Sequence, residues 1–389
     1  MHQIKYWLIA CLTLLTISQF AFAAPDDKAD KELASIEAKV EDLQHLEGFL
    51  DLYWDNQKGQ LLLQIDRMGD AFIYQSSMAR GVGSNDLGLD RGQLGMTRLV
   101  EFYRSGAKVL LIEKNTAYRA ISDDKAEQAA VESSFGRSVV WGFEMVAETV
   151  DSVLIDATAF FLRDAHNIST RLDRAQQGSY KVDDSRSAIY LPRTRAFPDN
   201  TEVEAIVSYT GEQKFNDKGR SASDILSTVV PDVNVVTVHL HHSFIRLPDD
   251  NYQPLPYDAR AGIIGSPWGN GFLDYAVPVG DPIQVLYGRR HRLQKVDPNA
   301  EISEAVEPII YYLDPGVPEP IRSALLEGAS WWNQAFEAAG YNNAFQVKLL
   351  PVDADPMDVR YNVIQWVHRS TRGWSYGSSI VDPRTGEIL

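Results

Sequence analysis

Cysteine is almost missing from this chain: Cys11 is the only one in 389 residues. It lies within the first 23 residues, so the remainder has no disulfide, no thiolate metal ligand and no cysteine nucleophile. Positive charge is also scarce, with 37 Lys and Arg against 53 Asp and Glu and a formal charge of −16. A nucleic-acid partner needs a basic face, which a long-range negative field opposes, so that partner class is set aside and the acidity is read as solubility. No long apolar run follows residue 22, so no membrane span is expected in the mature chain. Several catalytic signatures are absent. There is no G-x-S-x-G elbow, and the glycine-rich stretch 81–95 lacks the Lys-Ser/Thr ending of a phosphate loop and reads as turns. Nor is there an H-E-x-x-H pentapeptide, which would set two imidazoles one helical turn apart beside a glutamate able to deprotonate zinc-bound water.

What is present begins with an export signal. Lys5 supplies a positive start, residues 8–22 are uncharged and apolar, and Ala21-Phe22-Ala23 is a small-x-small cleavage pattern. The apolar run falls short of the roughly 20 residues a bilayer requires, so cleavage after Ala23 is expected and not an anchor. Lipid processing at Cys11 would leave only a handful of apolar residues before the cysteine, which favours ordinary cleavage. The protein is therefore expected to be exported, to the periplasm or beyond the cell.

The periodicity indicates an α+β protein. Residues 24–47 form a charged segment with a short amphipathic helix over 29–40. Residues 48–210 read as a β-rich domain, with strand-length runs at 61–65, 71–75, 97–103, 108–113, 138–143 and 153–162. Residues 211–300 hold a second β region, including 233–246, and a long Pro/Gly/Asp/Tyr-rich connection over 248–282. From 301 to 389 the pattern becomes α/β. The run Ile309-Ile310-Tyr311-Tyr312-Leu313 suits a strand buried on both faces, and 318–339 reads as one helix with Ile321, Leu325, Trp332 and Phe336 on its inner stripe. Strands at 345–350 and 360–367 follow, giving an open α/β sheet.

Eight histidines are present, and His239-Leu240-His241-His242 is their only cluster. In a strand, His239 and His241 share a face while His242 points the other way. With no carboxylate at a convincing local spacing, packing or surface polarity is preferred to a metal site. Asn167-Ile168-Ser169 fits a glycosylation sequon. Residues 375–381 read as a short strand, 382–386 as a turn, and 387–389 as the first residues of a returning strand, so the chain reads as cut short.

The chain resembles a family of bacterial exported zinc-dependent metalloproteases of the metzincin type, which carry large uncharacterised regions ahead of the protease domain. The resemblance runs from about Gly48 to the end. It is carried by GFLDLYWD (48–55), GVGSNDLGLDRGQLG (81–95), IDATAFFLRDAH (155–166), RTRAFPDNTEVEA (193–205), RHRLQKVDP (290–298), WWNQAFEAAGY (331–341), RYNVIQWVHR (360–369) and SYGSSIVDPRTGEIL (375–389). It implies a β-rich region followed by the first part of a metzincin-like open sheet over 301–389. It implies zinc as the cofactor of the complete family protein and a protein or peptide as substrate. The family's zinc helix lies beyond the segment resembling SSIVDPRTGEI, so no catalytic or metal residue is carried over. This chain is expected to bind no zinc and to be inactive as it stands. The resemblance also implies that Tyr376, Gly377, Ser378, Ser379, Ile380 and Val381 form the cleft-edge strand that pairs with an extended substrate through main-chain hydrogen bonds. The alternative expectation is a non-catalytic exported β-rich module for binding or inhibition.

Overall fold

Alternating apolar and polar residues build the largest element of the computed structural model. It describes residues 33–213, 225–263, 271–371 and 375–389; the expected export signal of 1–23 lies outside them. The principal strands are β1 (Gln44–Leu46), β2 (Leu52–Asp55), β3 (Gln60–Ile65), β4 (Ala71–Arg80), β5 (Leu94–Ser105), β6 (Lys108–Glu113), β7 (Ser138–Glu148), β8 (Val153–Asp156), β9 (Gly178–Val182), β10 (Asn200–Gln213) and β11 (Val235–Ile245). Their order is β1-β2-β3-β8-β7-β6-β5-β4-β11-β10-β9, with every neighbouring pair antiparallel. Two short strands, Ala188–Ile189 and Arg195–Ala196, also pair with β10, which completes a thirteen-stranded sheet. The fold is α+β and β-rich. Strand β10 runs past residue 210 and pairs with β11, so one sheet joins the residues on either side of that position.

The sheet is strongly curled, and one side chain demonstrates it. From β7 to β11 there are four strand spacings, about 19 Å across a flat sheet. Yet the Phe160 ring lies 5.3 Å from Phe143 on β7, 5.5 Å from Tyr74 on β4 and 6.2 Å from Phe244 on β11. Register shifts at Gln75/Ser77, Leu111/Ile112, Met145/Ala147 and His239/Leu240 mark where the ladders are bulged, the usual means of curving a sheet. Phe72, Tyr74, Phe102, Phe143 and Phe244 fill the concave face around Phe160 and Phe161, all essentially inaccessible to solvent.

Phe160 belongs to a short helix where the sequence pattern predicted a strand over 153–162. The strand stops at Asp156. Its carboxylate accepts from both the backbone N–H and the hydroxyl of Thr158, and the Thr158 hydroxyl in turn accepts from the Leu61 N–H. These local bonds turn the chain into the helix Thr158–Leu162.

The convex face is covered at two places. Helix Ile36–Val40, capped by the Ser35 hydroxyl, packs Ile36 on Tyr53, Leu62, Ala147 and Leu154. At the other end, Ile73, Leu99 and Ile245 lie beneath Val359, Ile380 and Leu389. The 248–282 connection is not wholly irregular. Leu255–Pro256 and Gly271–Asp274 join Tyr118–Arg119 and Gln284–Gly288 in a small four-stranded sheet.

In the C-terminal region, β12 (Ile309–Leu313) lies between β13 (Phe345–Leu349) and β14 (Asn362–Ile364), all parallel. The predicted helix over 318–339 is two helices, Ile321–Ser330 and Asn333–Ala338. At the break, the N–H groups of Trp331 and Trp332 bond three residues back, to Gly328 and Ala329, which tightens the turn. The expected inner stripe is corrected accordingly. Trp331 and Trp332 are 64% and 66% exposed and Ile321 is also exposed, while Leu325, Leu326 and Phe336 are half-buried and Phe336 stacks on Phe345.

Candidate functional site

The histidine cluster divides as strand alternation requires. His239 and His241 sit on the convex face of β11, and His242 points into the aromatic core. On the convex face each histidine meets a glutamate of β10: His239 Nδ1 lies 2.6 Å from Glu204 Oε1, and His241 Nε2 lies 2.7 Å from Glu202 Oε2. Glu202 also accepts from Asn200 Nδ2 at 2.6 Å and from the Ser243 hydroxyl at 2.6 Å. Across β4, Ser77 Oγ is 3.2 Å from His241 Nδ1. Both glutamates are 2% exposed, so these partners replace the water a carboxylate would otherwise keep.

Burial pushes the His241 imidazolium down, but the charges of Glu202 and Glu204 more than offset it and its pKa is raised. Stability drawn from that proton is complete below the ordinary imidazole value and is lost as pH rises through the raised one. Glu202→Ala should take the acceptor from Ser243 and His241, while Asn200 keeps its bond to the Met357 carbonyl, and should cost about 3 kcal/mol in urea unfolding. Glu202→Gln should cost less and should reduce the alkaline loss tied to His241, to which Glu204 still contributes. An unaltered urea midpoint in the alanine variant would remove the structural role assigned to this carboxylate.

These residues do not fit a zinc ion. His239 and His241 each engage their own glutamate and do not converge, and among the described residues no three His, Cys, Asp or Glu side chains are placed to hold a metal.

Inside the sheet, His242 Nε2 lies 3.1 Å from the Phe161 carbonyl, so it carries the proton, and Nδ1 then accepts from the Tyr74 hydroxyl at 2.8 Å. Tyr74 accepts from Arg163 Nη2 at 2.9 Å. Burial, with the Arg163 charge second, holds His242 neutral, well below the usual imidazole range. His166 lies nearby, 2% exposed, with neither ring nitrogen hydrogen-bonded among the described residues. Burial, aided by the Arg171 charge, lowers its pKa to about 4.

The glycine-rich stretch 81–95 is where segments distant in sequence meet. Asp90, fully buried, bonds Arg369 Nε at 2.5 Å and also accepts from Gln93. Arg171 Nη1 donates to the Gly88 carbonyl at 2.6 Å and to Gln93 Oε1 at 2.8 Å. The Ser370 N–H bonds the Gly83 carbonyl, and the Thr371 hydroxyl bonds Asn85. Tyr376 donates to the Arg91 carbonyl at 3.2 Å, and the Arg369 guanidinium lies over its ring.

Tyr376, Gly377, Ser378, Ser379, Ile380 and Val381 lie directly after this junction. They do not form the continuous strand that their sequence predicts. The antiparallel return is limited to Val381 opposite Ile388, the Leu389 N–H on the Ile380 carbonyl and the Asp382 N–H on the Glu387 carbonyl. The predicted 382–386 turn is present, with Gly386 at φ 83° and the Asp382 carboxylate accepting from the Arg384 N–H. The backbone of 377–379 makes no hydrogen bond among the described residues, and Gly377 and Ser378 are exposed. Sequence reasoning missed Asp90 and Arg369, because nothing local separates one aspartate among turn residues from its neighbours. The glycines around it were the only available signal.

An antiparallel curled sheet with an inserted aromatic helix, joined to a small parallel sheet, is the class of protein that this architecture defines. The chain belongs to the family described as a domain of unknown function, DUF5117, whose pattern matches residues 92–296. No curated protein and no solved structure matches it. Among the described residues no helix is long and apolar enough to cross a membrane.

Proposed function

We propose that this chain is the scaffold and substrate-edge portion of an exported zinc-dependent metalloendopeptidase of the metzincin type. The segments quoted for that resemblance support the reading. The observation that carries it is the parallel β13-β12-β14 sheet, with its crossover helices, leading to a stretch at 377–379, exposed at Gly377 and Ser378, whose backbone makes no hydrogen bond among the described residues. An extended peptide laid along such a stretch gains main-chain hydrogen bonds with little demand on side chains. The zinc and its activated water would come from the H-E-x-x-H helix of the complete family protein.

Anisotropy with a fluorescein-labelled unstructured casein peptide tests the reading. The chain should bind it, and N-methylation of alternate peptide amides should abolish binding. Equal binding of the methylated peptide, or no binding of either, would overturn the peptide edge. A gene lacking an in-frame H-E-x-x-H beyond the codon for Leu389 would favour a binding or inhibitory module instead. Export has its own check: protein recovered outside the cytoplasm should begin Ala24-Pro25, and retention of Met1 would count against it.

A further inference from the structure

We infer that the 81–95 loop of the β-rich region is a clamp that positions the peptide edge, with Asp90 and Arg369 as its locking pair. This rests on the peptide-edge reading of residues 376–381 and adds what holds that edge in place.

A fully buried carboxylate is tolerated only when paired and hydrogen-bonded, and Asp90 meets that condition through Arg369, whose side chain is itself only 11% exposed. The two residues are 279 positions apart, so the bond ties the end of β14's following segment to the curled sheet. The guanidinium so placed lies 5.3 Å from the centre of the Tyr376 ring, and the Tyr376 hydroxyl is fastened to the loop backbone at Arg91. Tyr376 immediately precedes the stretch whose backbone makes no hydrogen bond among the described residues. Fixing its ring and hydroxyl therefore fixes where 377–379 begin.

The loop is shaped for this approach. Gly92 has φ 90°, and a Cβ there would lie 2.8 Å from Gln365 Oε1 and 3.8 Å from the Tyr376 hydroxyl. Glycine thus serves two needs at one position, a left-handed backbone and close passage of the C-terminal segment. Arg171 holds the same turn through the Gly88 carbonyl and through Gln93, whose amide in turn donates to Asp90. The clamp therefore has a base on the helix Ile168–Arg174 and a grip on the edge. Asp90 acts through Arg369 and Tyr376, which makes it a positioning residue.

Three variants test the clamp: Asp90→Asn, the neutral double variant Asp90→Asn/Arg369→Gln, which leaves no lone buried charge, and Gly92→Ala. Two readouts are taken on the full chain: amide hydrogen exchange at Ser370, Asp382 and Leu389, whose N–H groups bond the Gly83, Glu387 and Ile380 carbonyls, and Kd for the labelled casein peptide. Exchange at these three amides should accelerate in all three variants while β4, β10 and β11 keep their protection, and Kd should rise roughly tenfold, as expected when binding groups lose their fixed placement. Protection of the sheet strands separates loss of the clamp from loss of the fold. If the double variant, folded by that criterion, binds peptide as the wild type does, the positioning role is overturned while the peptide edge stands. If the wild type binds no peptide, the peptide-edge reading itself fails and the inference with it.

Discussion

Phe160→Ala should lower the stability of this protein by about 4 kcal/mol, the middle of the range for truncating a buried phenylalanine. Two effects add. The ring's apolar surface, 0% exposed in the native state, no longer leaves water on folding, and the space it filled is bounded by strands that cannot close on it. Its neighbours come from β7, β4 and β11, so the ring props the two sides of the curl apart. The Arg163 guanidinium, 3.9 Å from the ring centre, loses its aromatic partner as well. Phe160→Leu should cost markedly less, because it retains most of the volume. Urea unfolding followed by tryptophan fluorescence measures both. An alanine variant within 1 kcal/mol of wild type, roughly the scale of a surface substitution, would show that Phe160 does not support the curl.

The second large effect is acid lability. His166 is buried and neutral, with its pKa lowered from 6.5 to about 4. The unfolded chain therefore takes up a proton in that interval that the folded chain does not. The stabilising contribution is complete above pH 6.5 and is lost as pH falls towards 4. At roughly 1.4 kcal/mol per unit, the loss amounts to about 3 kcal/mol. His242 acts with the same sign, since its pKa is also depressed by burial. The slope of unfolding free energy against pH between 6.5 and 4 should therefore be steep in the wild type. It should be shallower by up to one proton in His166→Gln, whose side chain does not titrate. Identical slopes in the two proteins would mean that His166 is not held neutral.

The success of sequence reading varied with the range of the interaction. Strands β3 and β6 were legible almost to the residue, because a short apolar run is a local signal and the flanking turns are marked by Gly and Asp. The division of His239 and His241 from His242 followed from the strand period of two. The strand predicted over 153–162 failed at Asp156 and Thr158, where side-chain bonds to the backbone outweighed the apolar run. The helix predicted over 318–339 failed at Trp331 and Trp332. Periodicity can place a tryptophan on a stripe, but cannot say whether anything faces that stripe. At the candidate edge, residues 376–381 were identified by resemblance, whereas their attachment through Tyr376, Arg369 and Asp90 left no trace in the spacing.

By itself, the sequence determined what depends on composition and on neighbours a few residues apart: a chain with its one cysteine near the start, a β-rich α+β class, the faces on which histidines fall, and the 382–386 turn. Tertiary structure alone decided which glutamate meets which histidine, which ring fills the curl, and that Asp90 meets Arg369. The reason is physical. A strand's period assigns each side chain to a face at no cost in long-range order. Pairing groups hundreds of residues apart depends instead on how far the sheet bends and what packs inside it, and those are properties of the whole chain.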